Sequence, residues 1–354
     1  DRVHALISFQ MMLGFLSLVL GRTHLASKVV HMIPPAIKSG VILGAGVAAV
    51  AIVFKEGGRF DQYPITISIA VGIAFYLIFS RHFSQLRQHG KLWSTLGKLG
   101  IFPIIILAII IAPLAHEAPW PDINWGFTKP DFVLMFSQYT IFGVGIPPFM
   151  MFLTALPTVL AAYIVLFGDV LQSKAILAEA DAIRADEKID YSPNRAHLIF
   201  GGRNFLMSIF GPDVVMCGPL WAAMHVVVVE RYKQGKEAMN SIFGGSGSFR
   251  WGTNTGLLLL PIVSLVKPIL GIALALTLLI QGFVSVRIGI MEARSQRDLG
   301  IAGVIAAVLV IKGAAWAFAV GVILTALIYG KNFFVGETDQ TFVKDLDQSC
   351  LLYT

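Results

Sequence analysis

Two Gly-Pro steps interrupt an otherwise apolar stretch that runs Gly201-Gly202-Arg203-Asn204-Phe205-Leu206-Met207-Ser208-Ile209-Phe210-Gly211-Pro212-Asp213-Val214-Val215-Met216-Cys217-Gly218-Pro219-Leu220-Trp221. The spacing predicts a short helix, an extended break from Gly211 to Gly218, and a second short helix with Pro219 in its first turn, where the missing N–H costs nothing. A helix that begins inside an apolar bundle presents free N–H groups and the positive end of its dipole. Those groups can hold an anion or a polar solute without any charged side chain. Secondary transporters place such half-helices near the membrane midplane. The bland alternative is a tight turn at the membrane surface. Candidate solute contacts are therefore Gly211, Pro212, Asp213, Cys217, Gly218, Pro219 and Leu220, together with Asn204 and Thr158, each of which neighbours a helix breaker.

Asp169 carries the second kind of chemistry. It stands in Leu166-Phe167-Gly168-Asp169-Val170-Leu171-Gln172, near the end of a long apolar run. An acid inside a span must pair, take up a proton or coordinate a cation, so Asp169, with Asp213 as second choice, is the natural residue for a coupling ion, Na⁺ or H⁺. Its depth depends on where the helix starts: a start at Phe149 puts it at the cytoplasmic edge, a later start puts it deeper. Gln10, Thr154, Tyr163, His225, Lys267, Gln281 and Lys312 also fall in apolar runs, but serine, threonine and glutamine commonly join helices and lysines snorkel or cap short ends. Gly40, Gly44 and Gly46 are expected to let helices approach closely.

No HExxH, GxSxG, Walker loop or GxGxxG is present, and no serine–histidine or aspartate pair is spaced for intramembrane catalysis, so the expectation is not an enzyme. Cys217 and Cys350 are far apart, with no CxxC. Neither a disulfide framework nor a structural zinc site is supported, and no cofactor beyond the coupling ion is expected.

The elements that must hold these residues are membrane helices. The chain of 354 residues is 56% hydrophobic and 14% charged, with a mean hydropathy of +0.75. Soluble domains carry about 25% charged residues. Apolar runs lie at about 3–20, 36–54, 64–79, 99–114, 149–171, 199–210, 220–229, 256–266, 269–286 and 301–329. A full span needs about 20 residues, so several runs are too short to cross alone, and the last is long enough to be a hairpin broken around Lys312-Gly313. The net charge of +6 gathers in particular loops and reads as an orientation signal; no nucleic-acid partner is expected. The basic segments 22–38, 81–98, 172–197 and 287–298 are assigned to the cytoplasm. Segment 115–146 then lies outside. Its Trp120, Trp125 and three prolines suggest an interfacial helix on the outer leaflet, and polar 174–190 reads as a solvated connector. The chain opens Asp1-Arg2-Val3 directly into an apolar run, which leads us to expect a fragment missing its first helices.

At these residues the chain resembles the superfamily of nucleobase/ascorbate permeases and SulP-type anion transporters. The resemblance rests on Ile33-Pro34-Pro35 before a glycine-rich helix, on Gly168-Asp169, and on Asn204 to Pro219. It implies an all-α polytopic membrane protein with a seven-plus-seven inverted-repeat fold and discontinuous half-helices, of which this chain covers about helix four to helix fourteen. The half-helix opposing the 211–219 break would then fall outside the chain. It further implies core-domain segments at 1–35 and 147–266, gate-domain segments at 36–114 and 267–330, an external segment at 115–146, a cytoplasmic tail at 331–354, and a homodimer. Nucleobase permeases have glutamates where this chain has Val165 and the Gly218-Pro219-Leu220 region, which favours an anion held by backbone donors. The expectation is a secondary transporter of a small anionic or polar organic solute in a bacterial inner membrane. The alternatives are an uncoupled anion pathway and a non-transporting scaffold or receptor.

Overall fold

The computed structural model describes residues 2–184, 186–213, 222–240, 246–335 and 339. Their elements follow the apolar runs and the prolines that start them. The first group is α1 (Arg2–Arg22), α2 (Leu25–Met32), α3 (Pro35–Phe54), α4 (Arg59–Gln62) and α5 (Pro64–Phe79). Next come α6 (Arg81–His89), α7 (Lys91–Lys98), α8 (Phe102–Leu114), α9 (Phe132–Tyr139) and α10 (Ile141–Val144). The second half has α11 (Phe149–Ile183), α12 (Pro193–Phe210), α13 (Ala222–Lys233), α14 (Ser246–Leu258), α15 (Leu260–Val266), α16 (Leu270–Met291), α17 (Gln296–Lys312) and α18 (Ala314–Tyr329). Proline opens α3, α5 and α12 at the first helical position, where its fixed φ suits the helix and no N–H is lost. The described residues are about 80% helical, with no strands among them. Among the described residues five helices are long and apolar enough to cross a membrane, or seven if two bent pairs each count as one span.

The packing has two centres joined by α11. In one, α1 lies along α12; in the other, α3 is flanked by α16, α17 and α18. At the first crossing a Cβ on Gly14 would sit 2.6 Å from the Phe205 nitrogen, and one on Gly201 would sit 2.8 Å from the Leu18 nitrogen. Only glycine allows two backbones this close. At the second, Gly40 and Gly44 seat Ile305, Ala306 and Leu309 of α17, and Gly46 meets Ser285 of α16, as expected for a close-packing glycine row. The last apolar run does break at Gly313, which has φ +88. Ile305 meets both Gly40 and Gly321; positions 305 and 321 are symmetric about Gly313, so α17 and α18 form the expected hairpin.

The basic loops share one end of the bundle. There Glu179 of α11 accepts from Lys233 of α13 at 2.9 Å and from Arg287 of α16 at 2.9 Å, and Glu230 accepts from Lys233 at 2.8 Å. Arg184, only 5% exposed, bonds Asp186 at 2.5 Å, Glu187 at 2.9 Å and the Tyr232 carbonyl at 2.9 Å, and stacks on the Tyr232 ring. At the opposite end Glu117 accepts from the N–H groups of Ile65 and Thr66 at 2.6 and 2.8 Å, an anion on the first turn of α5.

Three expectations are corrected. The polar segment 174–190 is helical in its first part, as its composition suggests, but not solvated all round there. Residues 174–183 continue α11 with Ile176 and Ala180 buried, because apolar residues recur through it and Glu179 and Asp181 face partners, while 186–188 and 190 are exposed. In the external segment the apolar stretch from Phe132 does form short helices, α9 and α10, but the Pro- and Trp-rich part 118–131 is not helical. Pro119, Pro121 and Pro130 withhold N–H groups a helix needs, and Thr128 and Leu260 instead exchange main-chain bonds with Leu258 and Gly126 at 2.9 and 3.0 Å. That pairing occupies a break at Leu259, so the run 256–266 is divided between α14 and α15.

Candidate functional site

One face of α1 presents Ile7, Gln10, Gly14, Ser17 and Gly21 at helical spacing, all buried, against His197, Gly201, Asn204 and Ser208 of α12. The serines satisfy themselves on their own helices: Ser17 Oγ donates to the Leu13 carbonyl at 2.7 Å and Ser208 Oγ to the Phe205 carbonyl at 2.6 Å. Gln10 and Asn204, both fully buried, bond across the crossing, with Gln10 Nε2 donating to Asn204 Oδ1 at 3.1 Å. By helical rise Gln10 lies about 12 Å from Arg2 and about 18 Å from Arg22 along α1, so the pair sits in the middle of its span.

After α12 the chain reverses. Gly211 takes φ +151, ψ 96, a conformation open to glycine alone. Pro212 follows, and Asp213 arrives back at the depth of Gln10. The Asp213 N–H donates to Gln10 Oε1 at 2.8 Å, and the Asp213 carbonyl accepts from Gln10 Nε2 at 3.1 Å. A side-chain amide thus reproduces both bonds that a neighbouring strand would offer. The orientation of the Gln10 amide follows from its partners, since the Asp213 N–H needs an acceptor. Non-helical backbone inside an apolar bundle is tolerated where its polar groups are met in this way. Residues 214–221 lie outside the described residues; beyond them α13 ends at Lys233 on the basic end.

The structure thus unites Asn204, Gly211, Pro212 and Asp213, and it adds Gln10, which sequence alone marks only as one of several buried polar groups. Cys217, Gly218, Pro219 and Leu220 lie outside the described residues. Thr158 does not join the group: it is on an exposed face of α11, next to buried Val159, because the helix turns its apolar stripe toward α1 at this level. Arg203 stands beside Asn204 in mid-α12 and is half-buried. It was missed as a candidate, although an arginine inside an apolar run is a functional signal.

Asp169 occupies a second site. The helix starts at Phe149 and not later, so Asp169 lies about 30 Å along it, toward the end that carries the basic loops, and the deeper placement that a later start would give does not hold. Tyr163, six residues earlier, bonds His197 at 2.9 Å, and Tyr191 hydroxyl reaches the Val170 carbonyl at 3.5 Å. Asp169 is therefore level with the first turn of α12, about 16 Å along that helix from Asn204; Asp169 and Asp213 are not neighbours. Around Asp169 the groups are oxygen-rich. Ser173 Oγ donates to the Asp169 carbonyl at 2.5 Å, and Gln172 Nε2 bonds Ser285 Oγ on α16. Gln172 Oε1 is buried without a partner among the described residues. The Asp169 carboxylate likewise has no hydrogen-bond or ion-pair partner among the described residues. Burial pushes the nearby Tyr191 phenol up to about 12, so it is a neutral hydroxyl at ordinary pH. A proton or a hard monovalent cation suits such a set. No group of three His, Cys, Asp or Glu residues is gathered among the described residues.

No protein-family model matches the sequence, and no curated protein matches it.

Proposed function

We propose that this chain is a multi-pass secondary transporter of a small anionic or polar organic solute in a bacterial inner membrane, coupled to Na⁺ or H⁺ and working by alternating access. The observation that carries the reading is the Gln10 clamp on the main chain of Asp213 at mid-depth of the bundle. Non-helical backbone from Gly211 to Asp213 at that depth fits the way discontinuous helices offer main-chain donors to a solute. Asn204 and Gly211 to Asp213 form the described part of the solute site, and Cys217, Gly218, Pro219 and Leu220 would complete it.

In this reading α1, α11, α12 and α13 belong to a core, and α3, α5, α8 and α16 to α18 to a gate, related to the inverted-repeat permeases by the resemblance given above. The gate would also supply a homodimer contact. Asp169 binds the coupling cation where the core meets the gate, since Gly168 of the same turn abuts Val41 of α3 and Gln172 bonds Ser285 of α16. The test is solute uptake into proteoliposomes under imposed Na⁺ and pH gradients. Asp169→Asn is expected to abolish the cation dependence while solute binding persists. Ion dependence unchanged in Asp169→Asn would remove Asp169 from the mechanism. Wild-type flux that neither saturates nor responds to cation gradients would replace the transporter by an uncoupled pathway.

A further inference from the structure

The short helices α6 and α7 connect α5 to α8 at the basic end and turn 62° and 83° away from the spans they join, so they lie across the bundle end. Between Asp61 and Glu117 the chain has no acidic residue, yet Arg81, Arg87, Lys91 and Lys98 all fall in that interval. Buried Phe83 of α6 meets Trp93 of α7 edge-on at 6.3 Å, which fixes the two helices to each other. Arg87 then reaches the end of α13: its Nη2 donates to Gln234 Oε1 at 2.8 Å. Arg231, only 4% exposed, donates from Nη1 to the same oxygen at 3.2 Å and from Nη2 to the Gly97 carbonyl.

Two guanidinium groups therefore converge on one neutral amide oxygen. Neither has a carboxylate partner among the described residues, although Arg184, Arg195 and Arg287 at the same end each have one within 2.9 Å. Two like charges without a carboxylate, buried Arg231 and partly exposed Arg87, are held together at a cost that a bound anion reduces. The planar fork of arginine matches phosphate, and two forks can share one phosphate group. Gln234 is exposed, so the pair opens to the surface, and on α7 Leu92 is 70% exposed and Trp93 40%, side chains suited to the headgroup zone.

We propose that Arg87 and Arg231 form a phosphate-binding site, occupied by the headgroup of an anionic phospholipid of the leaflet that the basic loops face. The orientation of α6 and α7 across the ends of the spans, together with exposed Leu92 and Trp93, selects lipid phosphate over a free anion. The source of charge is the cytoplasmic leaflet, where anionic lipids attract basic segments of membrane proteins.

The experiment uses the full chain in detergent, titrated with phosphatidylglycerol, phosphatidylcholine or inorganic phosphate, with lipid retention read by native mass spectrometry. Phosphatidylglycerol is expected to bind at least about tenfold more tightly than phosphatidylcholine, as a charge-assisted phosphate contact requires. Arg87→Gln lowers that preference, and Arg87→Lys keeps part of it. Because loss of buried Arg231 could unfold the chain, the decisive variant is Gln234→Glu, which supplies the missing carboxylate in place. It is expected to keep or raise the melting temperature while lowering phosphatidylglycerol binding about tenfold. Phosphatidylglycerol binding unchanged in Gln234→Glu, or equal retention of the two lipids by the wild type, would overturn the site. Inorganic phosphate matching phosphatidylglycerol in affinity would overturn the lipid assignment.

Discussion

Gly201 and Gly202 are adjacent in α12, yet alanine at the two positions should have opposite effects. A Cβ at Gly201 would lie 2.8 Å from the Leu18 nitrogen and 3.0 Å from the Gly14 oxygen, both backbone atoms of α1, whereas a Cβ at Gly202 meets nothing within 4 Å. Backbone cannot rotate aside, so α1 and α12 must separate by about 0.6 Å to restore ordinary van der Waals contact. Asn204 is one turn along the same face, and a shift of that size takes the 3.1 Å Gln10–Asn204 bond out of hydrogen-bonding range. Overpacking costs about 1–3 kcal/mol and a lost buried hydrogen bond about 1 kcal/mol more. Gly202→Ala loses no contact and gains up to about 1 kcal/mol of helix propensity. Gly201→Ala has the same propensity gain, which cancels, so the two variants should differ by about 2–4 kcal/mol. Thermal inactivation of the detergent-solubilised chain, followed by size-exclusion fluorescence, reads this as a melting temperature lower for Gly201→Ala by several degrees and unchanged or higher for Gly202→Ala. Equal shifts, or a larger loss at Gly202, would refute the close α1–α12 crossing and with it the registration of Gln10 against Asp213.

At the basic end, Glu179 serves Lys233 and Arg287 together, so a double-mutant cycle of Glu179→Gln with Arg287→Gln should return a coupling of about 1 kcal/mol that shrinks in high salt. Bonding to Arg184 holds the Asp186 carboxyl below the usual carboxylate range, and Arg195 does the same for Asp190. Both groups bind their proton less well folded than unfolded, so their contribution is complete at neutral pH and is lost as pH falls below about 4. Limited proteolysis should find residues 184–195 becoming cleavable in that range, and cleavage equal at pH 7 and pH 3 would exclude these ion pairs as the restraint. Tyr191 runs the other way: its phenol is raised to about 12 by burial, so its contribution is whole below about pH 10 and declines above it. Tyr191→Phe should flatten the alkaline limb of the thermal-stability profile.

The sequence-to-structure correspondence is closest where one residue type decides the outcome. Pro64 and Ser80 bound α5 at the limits of its apolar run, and Gly313 divides the last run in two. The extension of α11 to Ile183 was harder to read, because Glu179 and Arg184 look solvated until α13 and α16 bring Lys233, Arg287 and Tyr232 to meet them. Leu259 breaks a helix within four consecutive leucines. Its signal was Pro261, two residues on, and its partner, Gly126 to Thr128, is more than 130 residues away. In the candidate site, Asn204, Gly211 and Asp213 could be named from breakers and polarity. Gln10 could not be singled out, because its partner lies 203 residues along the chain, and a side-chain amide carries no local sign of which backbone it will meet. The same distance hides the pairing of Arg87 with Arg231, although the acid-free interval that leaves Arg87 uncompensated is plain in the sequence.

The most direct test of coupled transport is a thermal-shift series on the purified chain with nucleobases, small carboxylates, sulfate and bicarbonate, each with and without sodium and across pH, in wild type and in Gln10→Leu. Binding linkage predicts that one solute class raises the wild-type melting temperature, that sodium or protons deepen the effect, and that Gln10→Leu abolishes it. A melting temperature that no solute moves under any cation condition, or a shift of equal size in Gln10→Leu, would contradict a coupled solute site built on the Asp213 main chain.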